Sequence, residues 1–365
     1  MRLPFSRRRC EAAPLCTRLT VACLRSKDLR EARRNVRAMR LCWKLAACAV
    51  LMLVPAVSRA ISCTSQAELS PADRAALSAA GERLASAVMN QNFPVLQSSL
   101  LASEASEWSQ ILAEVQDAGP LLKGGKIQLR NAYLLDATSL TAPADSEFFC
   151  SNSSGSLTVT ITLRNLPPGK YAVILADASG APLGGQLGLV LSWQDTPSPG
   201  WMLAGLSAHQ GIFDGHDGVW YWARARALSN ADPWSAWYCY AMARYMLLPI
   251  DFLSSPNLQK LDSEQEAIKN SPKDLFPYSI KNGDRTWKVY SITVNTVLHQ
   301  PDLAVTYQST GVTTPAAQHT EAVAVLSALL KAQPGLRENF HGLWAVSQDN
   351  GKQTPIIELP MAQIP

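Results

Sequence analysis

The densest run of chemically capable side chains is His209, Asp214, His216 and Asp217, two imidazoles and two carboxylates close together in sequence. Ligands of these types, brought to one point, hold zinc or another transition metal. The spacing argues against it. No H-E-x-x-H pair occurs, and Asp214-x-x-Asp217-Gly218 lacks the alternate ligands and closing Glu of a calcium loop. The segment falls between a strand pattern and a helical one, where Asp214 or Asp217 serves as N-cap. Ser207 stands in Gly205-Leu206-Ser207-Ala208-His209, without the closing glycine of a G-x-S-x-G elbow. Neither a P-loop nor a dinucleotide fingerprint is present. No catalytic residue, metal or cofactor is therefore expected.

A second concentration is aromatic. Val219–Ser229 carries Trp220, Tyr221 and Trp222, and Pro233–Leu248 carries Trp234, Trp237, Tyr238, Tyr240 and Tyr245 with Ala241 and Ala243 between them. Rings at helical spacing pack interiors first, and any face left exposed marks a contact site. Trp220, Trp222, Trp234 and Trp237 are the candidates for such an interaction surface. Bulky residues set against alanines in a short-turn hairpin resemble a single tetratricopeptide-type unit. No second copy follows at the repeat period of about 34 residues, so no superhelical array is implied.

The elements that position these residues are legible from periodicity. Ser70-Pro71-Ala72-Asp73 opens a helix, with Ser as N-cap, Pro in the first turn and an acid near the positive end. Leu77, Leu84 and Val88 then share a face. A second helical stretch runs from Pro94 to about Asp117 through Trp108, Ile111, Leu112 and Val115, and Gly119–Gly125 is expected to break it. Period-two strands follow at Lys126–Asp136, Ser156–Leu163, Lys170–Ala176, Gln186–Gln194 and Gly200–Ser207, separated by Gly- and Pro-rich turns. Helices followed by consecutive antiparallel strands read as a sheet curled around helices.

Those paired helices, the strand ending Leu189-Val190-Leu191-Ser192-Trp193, a polar turn and the closing Gly200-Trp201-Met202-Leu203-Ala204-Gly205 resemble the nuclear-transport-factor-two-like superfamily. The resemblance covers residues 66–208. It implies a cone-shaped α+β domain that holds a small apolar ligand, with Trp108, Tyr133, Trp193 and Trp201 as candidate contacts. Isomerases of this superfamily place an acid and a tyrosine in the pocket, and Tyr133 with Asp136 would be the counterparts. Their odd separation puts them on opposite faces of a regular strand. Core packing for Tyr133 and turn solvation for Asp136 is the better expectation.

After the hairpin, Ser254–Pro277 is polar and reads as a lid or linker. A β-β-α-β(-β) module follows, with strands at Trp287–Val297, Leu303–Ser309, Leu343–Ser347 and Ile356–Leu359 and a helix over Pro315–Lys331. Docking of this module on the aromatic hairpin is expected.

The ends of the chain differ in charge. Residues 1–60 carry 14 Lys+Arg against 3 Asp+Glu, whereas 61–365 carry 19 against 26, a net of −7. The acidic remainder has no basic block to neutralise phosphates, so nucleic acid is not an expected partner. Leu45–Val57 is an apolar run behind Arg40 and Lys44 and ahead of Ser58-Arg59-Ala60, the composition of a secretory signal peptide. It is shorter than the 20 or so residues that span a membrane. Met39 would by itself begin such a leader, and residues 1–38 read as a mis-assigned extension or a transit peptide. Cys63, just past the exit, stands in a lipoprotein-like box and is a candidate for lipidation, with soluble secretion the favoured outcome. Of the three cysteines beyond the leader, Cys150 and Cys239 either pair or remain buried thiols.

The expectation is an α+β protein in four segments: a leader (1–60), a cone-like domain of helices packed on a curved antiparallel sheet (61–210), an aromatic helical hairpin and linker (211–275), and a small C-terminal α+β module (276–365). The function expected is export to the cell envelope followed by binding, of an envelope protein or a small apolar ligand. The alternatives are an isomerase- or hydrolase-like enzyme acting in the cone, and a lipid-anchored assembly factor dependent on Cys63.

Overall fold

The structure, a computed structural model, describes residues 60–151, 155, 158–195 and 199–365. The expected leader, its apolar run and five of its cysteines lie outside the described residues. No helix among the described residues is long and apolar enough to cross a membrane.

The first helix, α1 (Pro71–Met89), begins as its sequence predicts. Ser70 Oγ accepts the Asp73 amide at 3.1 Å, and Pro71 stands in the first turn. A short α2 (Phe93–Ser98) leads to α3 (Trp108–Leu122), which does not break at Gly119. Pro120 has no N–H to give the Gln116 carbonyl. The side-chain amide of Gln91 donates to that oxygen instead, at 3.4 Å. A Cβ on Gly119 would lie 2.5 Å from the same Gln91 nitrogen, so glycine is what lets the substitute donor in.

These helices cover one face of an antiparallel sheet of β1 (Ser62–Ser65), β2 (Lys126–Asp136), β5 (Lys170–Ser179), β6 (Gln186–Gln194) and β7 (Gly200–His209), in the order β1-β2-β5-β6-β7. Alternation sorts its side chains into two cores. Ala132, Ala172, Ile174, Leu189 and Leu191 face the helices and pack with Leu77, Leu84, Val88 and Val115. Tyr133, Leu135, Tyr171, Val173 and Leu175 face the other way. They meet a second sheet of β3 (Ala144–Ser151), β4 (Thr158–Leu166) and β10 (Leu253–Ser254), which contributes Phe148, Val159, Ile161 and Leu253.

Strands β1 and β3 were not visible in the sequence. β1 is only four residues long and follows directly on the leader pattern. β3 is embedded in Ser, Thr, Pro and Asp, which read as loop, yet it alternates, with Phe148 buried and Phe149 62% exposed.

These two strands carry a disulfide, Cys63–Cys150, with Cα atoms 5.1 Å apart and a sequence separation of 87. The alternative pairing of Cys150 with Cys239 is overturned. Cys239 is a buried free thiol on the hairpin, in a different core, and burial pushes its pKa up to about 12. The bond also corrects the candidate lipidation, because a Cys63 sulfur joined to Cys150 is not free to carry an acyl-glyceryl group.

The hairpin is α4 (Gly218–Leu228) and α5 (Pro233–Leu247). It shares one core with the C-terminal sheet of β11 (Tyr278–Asn282), β12 (Arg285–Asn295), β13 (Asp302–Gln308), β14 (Gly342–Asp349) and β15 (Lys352–Pro360). Between β13 and its parallel neighbour β14 the chain crosses through α7 (Pro315–Ala332), which buries Val325, Leu326 and Leu329. The expected docking of module on hairpin is thus present, with β11 as an additional edge strand.

Ser254–Pro277 is not an open linker. It forms β10 and α6 (Pro256–Glu266), and Glu264 latches α6 to both hairpin helices. Its carboxylate accepts from Trp222 Nε1 (2.7 Å), Arg226 Nε and Nη2 (2.7 and 2.9 Å) and Tyr240 Oη (3.2 Å). The Arg226 hydrogen bonds are the main reason the carboxyl is held near a pKa of about 2, below its ordinary 4.5.

Two stability predictions follow from these bonds. Replacing Cys63 and Cys150 by serine removes a cross-link over a long loop, and chain entropy sets the upper loss at about 4–5 kcal/mol; thermal unfolding with and without reductant measures it. A carboxyl with a depressed folded pKa stabilises above its unfolded value and loses that contribution as pH falls from about 4.5 through about 2. Urea unfolding over that window should show a shallower pH dependence for Glu264→Gln than for the parent.

Candidate functional site

Of the four residues proposed to line a cone, the structure brings only part together. Trp193 and Trp201 are directly paired across β6 and β7, ring centroids 5.4 Å apart and edge to face, and Trp193 Nε1 donates to Asp195 at 2.7 Å. Trp201 and Trp108 are half-buried against the helix-side core. Tyr133 is buried in the opposite core, so it cannot share a pocket with them. The physical reason is that both faces of the sheet are covered, which places neighbouring strand positions in separate interiors. The space where a cone would open is filled by Leu77, Leu84, Val88 and Leu122, none of them exposed. Asp136 ends its strand and accepts from the Thr138 amide and hydroxyl at 2.9 and 2.6 Å.

The hairpin aromatics likewise turn out to be mostly interior. Trp234 is 6% exposed and sits against Tyr278 and Phe276, with centroids 5.0 and 6.2 Å away. Trp222 lies under the Arg226 guanidinium at 4.4 Å, and Trp237 packs on the same core. An interaction surface made of all four is therefore corrected. Trp220 alone stays open, 38% exposed, stacked on His216 at 3.7 Å and next to exposed Val219. These rings fill a core because the C-terminal sheet packs onto the hairpin, a contact between elements far apart in sequence.

The His209–Asp217 segment forms a two-stranded ribbon of β8 (Ile212–Phe213) and β9 (His216–Asp217) that ends in a helix cap. Asp217 Oδ1 accepts the Trp220 amide at 2.8 Å and caps α4, and Asp214 occupies a left-handed turn position at φ 50°. His209 does make one suggestive contact, with Nε2 3.0 Å from Ser207 Oγ. Burial lowers the His209 pKa, against the opposing pull of Asp251 and Glu114. No carboxylate hydrogen-bonds its other ring nitrogen among the described residues, so a nucleophile-base-orienter chain is incomplete.

The most convergent titratable group lies elsewhere, at one end of the C-terminal sheet. Asp302 is the first residue of β13, His341 immediately precedes β14, and Glu358 on β15 is directly opposite Trp344 on β14. Antiparallel pairing of β14 with β15 and parallel pairing of β13 with β14 bring the three to one edge. Asp302 is 1% exposed and accepts from His341 Nδ1 at 2.9 Å and from Trp344 Nε1 at 3.1 Å. One donor atom from each of Asp302, His341 and Glu358 lies within 4.8 Å of the other two. Gly342 forms the floor, where a Cβ would come within 2.7 Å of Glu358 Oε1 and 3.0 Å of Asp302 Oδ1.

Glu358 Oε1 is buried without a hydrogen-bond partner. Desolvation first, then the nearby Asp302 charge, raises the Glu358 pKa, and His341 opposes them. These three residues are the ones among the described residues that could hold a metal ion. Sequence reasoning did not find them, because gaps of 39 and 17 positions match no ligand motif. A histidine next to a strand start, facing an acid at another strand start, carries no local signal.

No protein-family model, curated protein or solved structure matches this chain.

The two classes of tryptophan give a direct test of burial. Trp234→Ala should cost about 3–5 kcal/mol, as for other buried large-to-small changes, and Trp220→Ala under about 1 kcal/mol, both read from urea denaturation midpoints at constant m-value.

Proposed function

We propose that this chain is an exported protein of the cell envelope that works by binding a protein partner, rather than by chemistry in an enclosed pocket. The observation that carries the reading is the Cys63–Cys150 disulfide, formed by a cysteine only three residues past the expected leader exit at Ala60. Disulfides persist in oxidising compartments and are rare in the cytosol of mesophiles. An acidic mature chain behind a basic, apolar leader supports the same compartment.

The filled helix-side core favours a protein partner over an apolar ligand held inside. Two helices followed by an antiparallel sheet support the nuclear-transport-factor-two-like reading of residues 66–208 at the level of architecture. An enzyme remains the second reading only through the Ser207–His209 contact, which lacks an orienting acid.

Intact mass and thiol counting on the chain recovered after export test the proposal. The expected product begins near Ile61, carries no lipid, and has one disulfide plus one thiol that alkylates only after unfolding, Cys239. Retention of the leader in the cytoplasm, or three alkylatable thiols in the exported chain, would overturn it. A thioether-linked lipid on Cys63 would replace it with the anchored-assembly-factor alternative.

A further inference from the structure

Two carboxylates of the C-terminal module, Glu321 and the half-buried Glu358, are in very different states. Glu321, on α7 and 3% exposed, is saturated: Trp287 Nε1, Ser309 Oγ, and the Thr310 amide and hydroxyl all donate to it. That is how a protein buries a carboxylate for structural purposes. Glu358 is the opposite case, with Oε1 buried, unpartnered, and directed at a second carboxylate across a glycine floor. Leaving such an atom unsatisfied costs about 1–3 kcal/mol, and more when charged. A buried oxygen in this state has room for a partner from outside the chain, a water or an ion.

We propose that Asp302, His341 and Glu358 form a binding site for one divalent transition-metal ion, with zinc(II) as the chemical type. One donor atom from each residue lies within 4.8 Å of the other two, close enough to converge on a single ion after small side-chain shifts. At the tetrahedral angle, bonds of about 2.1 Å put adjacent ligand atoms about 3.4 Å apart, so His341 Nδ1 and Asp302 Oδ1, now 2.9 Å apart, separate by about half an ångström to admit the ion. Ligation uses the imidazole tautomer with its proton on Nε2, so that the Nδ1 lone pair faces the ion in place of its present contact with Asp302. The Trp344 indole then supplies the outer hydrogen bond that fixes the Asp302 carboxylate, as ligating carboxylates generally require.

The donor set decides the metal class. Calcium and magnesium prefer all-oxygen shells, whereas an imidazole beside two carboxylates suits zinc and its neighbours. The His341 side chain is 35% exposed, so solvent reaches the site and a water completes the shell. Three protein ligands and one water form an open coordination sphere. This inference does not depend on the proposed compartment or partner.

The test uses the mature, untagged chain and zinc(II) itself, added after chelation and dialysis. Calorimetric titration should give one site, and zinc should raise the melting temperature. Glu358→Gln preserves side-chain shape and should weaken zinc at least tenfold while leaving the metal-free melting temperature near that of the parent; His341→Ala removes the nitrogen donor and should also weaken zinc at least tenfold, with a lower metal-free melting temperature because buried Asp302 loses a hydrogen bond. Trp344→Phe should weaken it by about tenfold through the outer bond alone. Cobalt(II) offers an independent readout, since visible absorption bands of a nitrogen- and oxygen-ligated low-coordinate ion should appear in the parent and vanish in Glu358→Gln. Equal zinc affinity in parent and both ligand variants would mean binding at other histidines and would overturn the assignment. So would preference for calcium or magnesium, or no binding in the parent.

Discussion

The constraint on which the N-terminal half depends is that the central strand of its main sheet, β5, is buried on both faces. Along β5, Ala172 and Ile174 belong to one core and Tyr171, Val173 and Leu175 to another, and all five are buried. Burying both faces of one strand requires two covering layers. Helices α1 and α3 supply one, and the small sheet of β3, β4 and β10 supplies the other. Between the helices and the sheet, Leu77, Leu84, Val88 and Leu122 are fully buried.

The hairpin joins this half to the rest. Most of α5 lies in the core shared with the C-terminal sheet, while the residues just after it, Leu248 and Ile250, enter the core beneath β5. The same segment continues into β10, which pairs with β4 through Leu253 and Ser254. One length of chain therefore serves two hydrophobic interiors, and the Glu264 latch fixes its helices against each other. The aromatic side chains that look like a binding platform are the filling of this junction. Large rings contribute the most buried area per residue, and a junction between two sheets is where that area is needed.

Polar chemistry in the C-terminal module follows from strand order. A crossover through α7 makes β13 and β14 parallel neighbours, so their starting residues lie at the same end. The returning β15 delivers its closing residues there as well. Asp302, His341 and Glu358 meet for that reason. The carboxylate pair is held close by the bare backbone of Gly342, and the Trp344 indole orients its more buried member. Against this, the saturated Glu321 shows what the same module does with a carboxylate of purely structural use.

Local sequence determined the elements that have strong local causes. Ser70 and Pro71 start α1, Asp217 caps α4, and the odd separation of Tyr133 and Asp136 puts them on different faces; each rests on neighbours a few residues away. The alternating runs of β2, β5, β6 and β7 were legible for the same reason, as were the α+β class and the docking of module on hairpin. Tertiary structure decided the rest. The helix through Gly119 and Pro120 depends on a donor from Gln91, the partner of Cys63 depends on β1 and β3 approaching across two sheets, and the burial of Trp234 depends on β11. The meeting of Asp302, His341 and Glu358 depends on the order of three strands. Each of these is a long-range contact, and side-chain type along the chain carries no record of which distant backbone will arrive beside it.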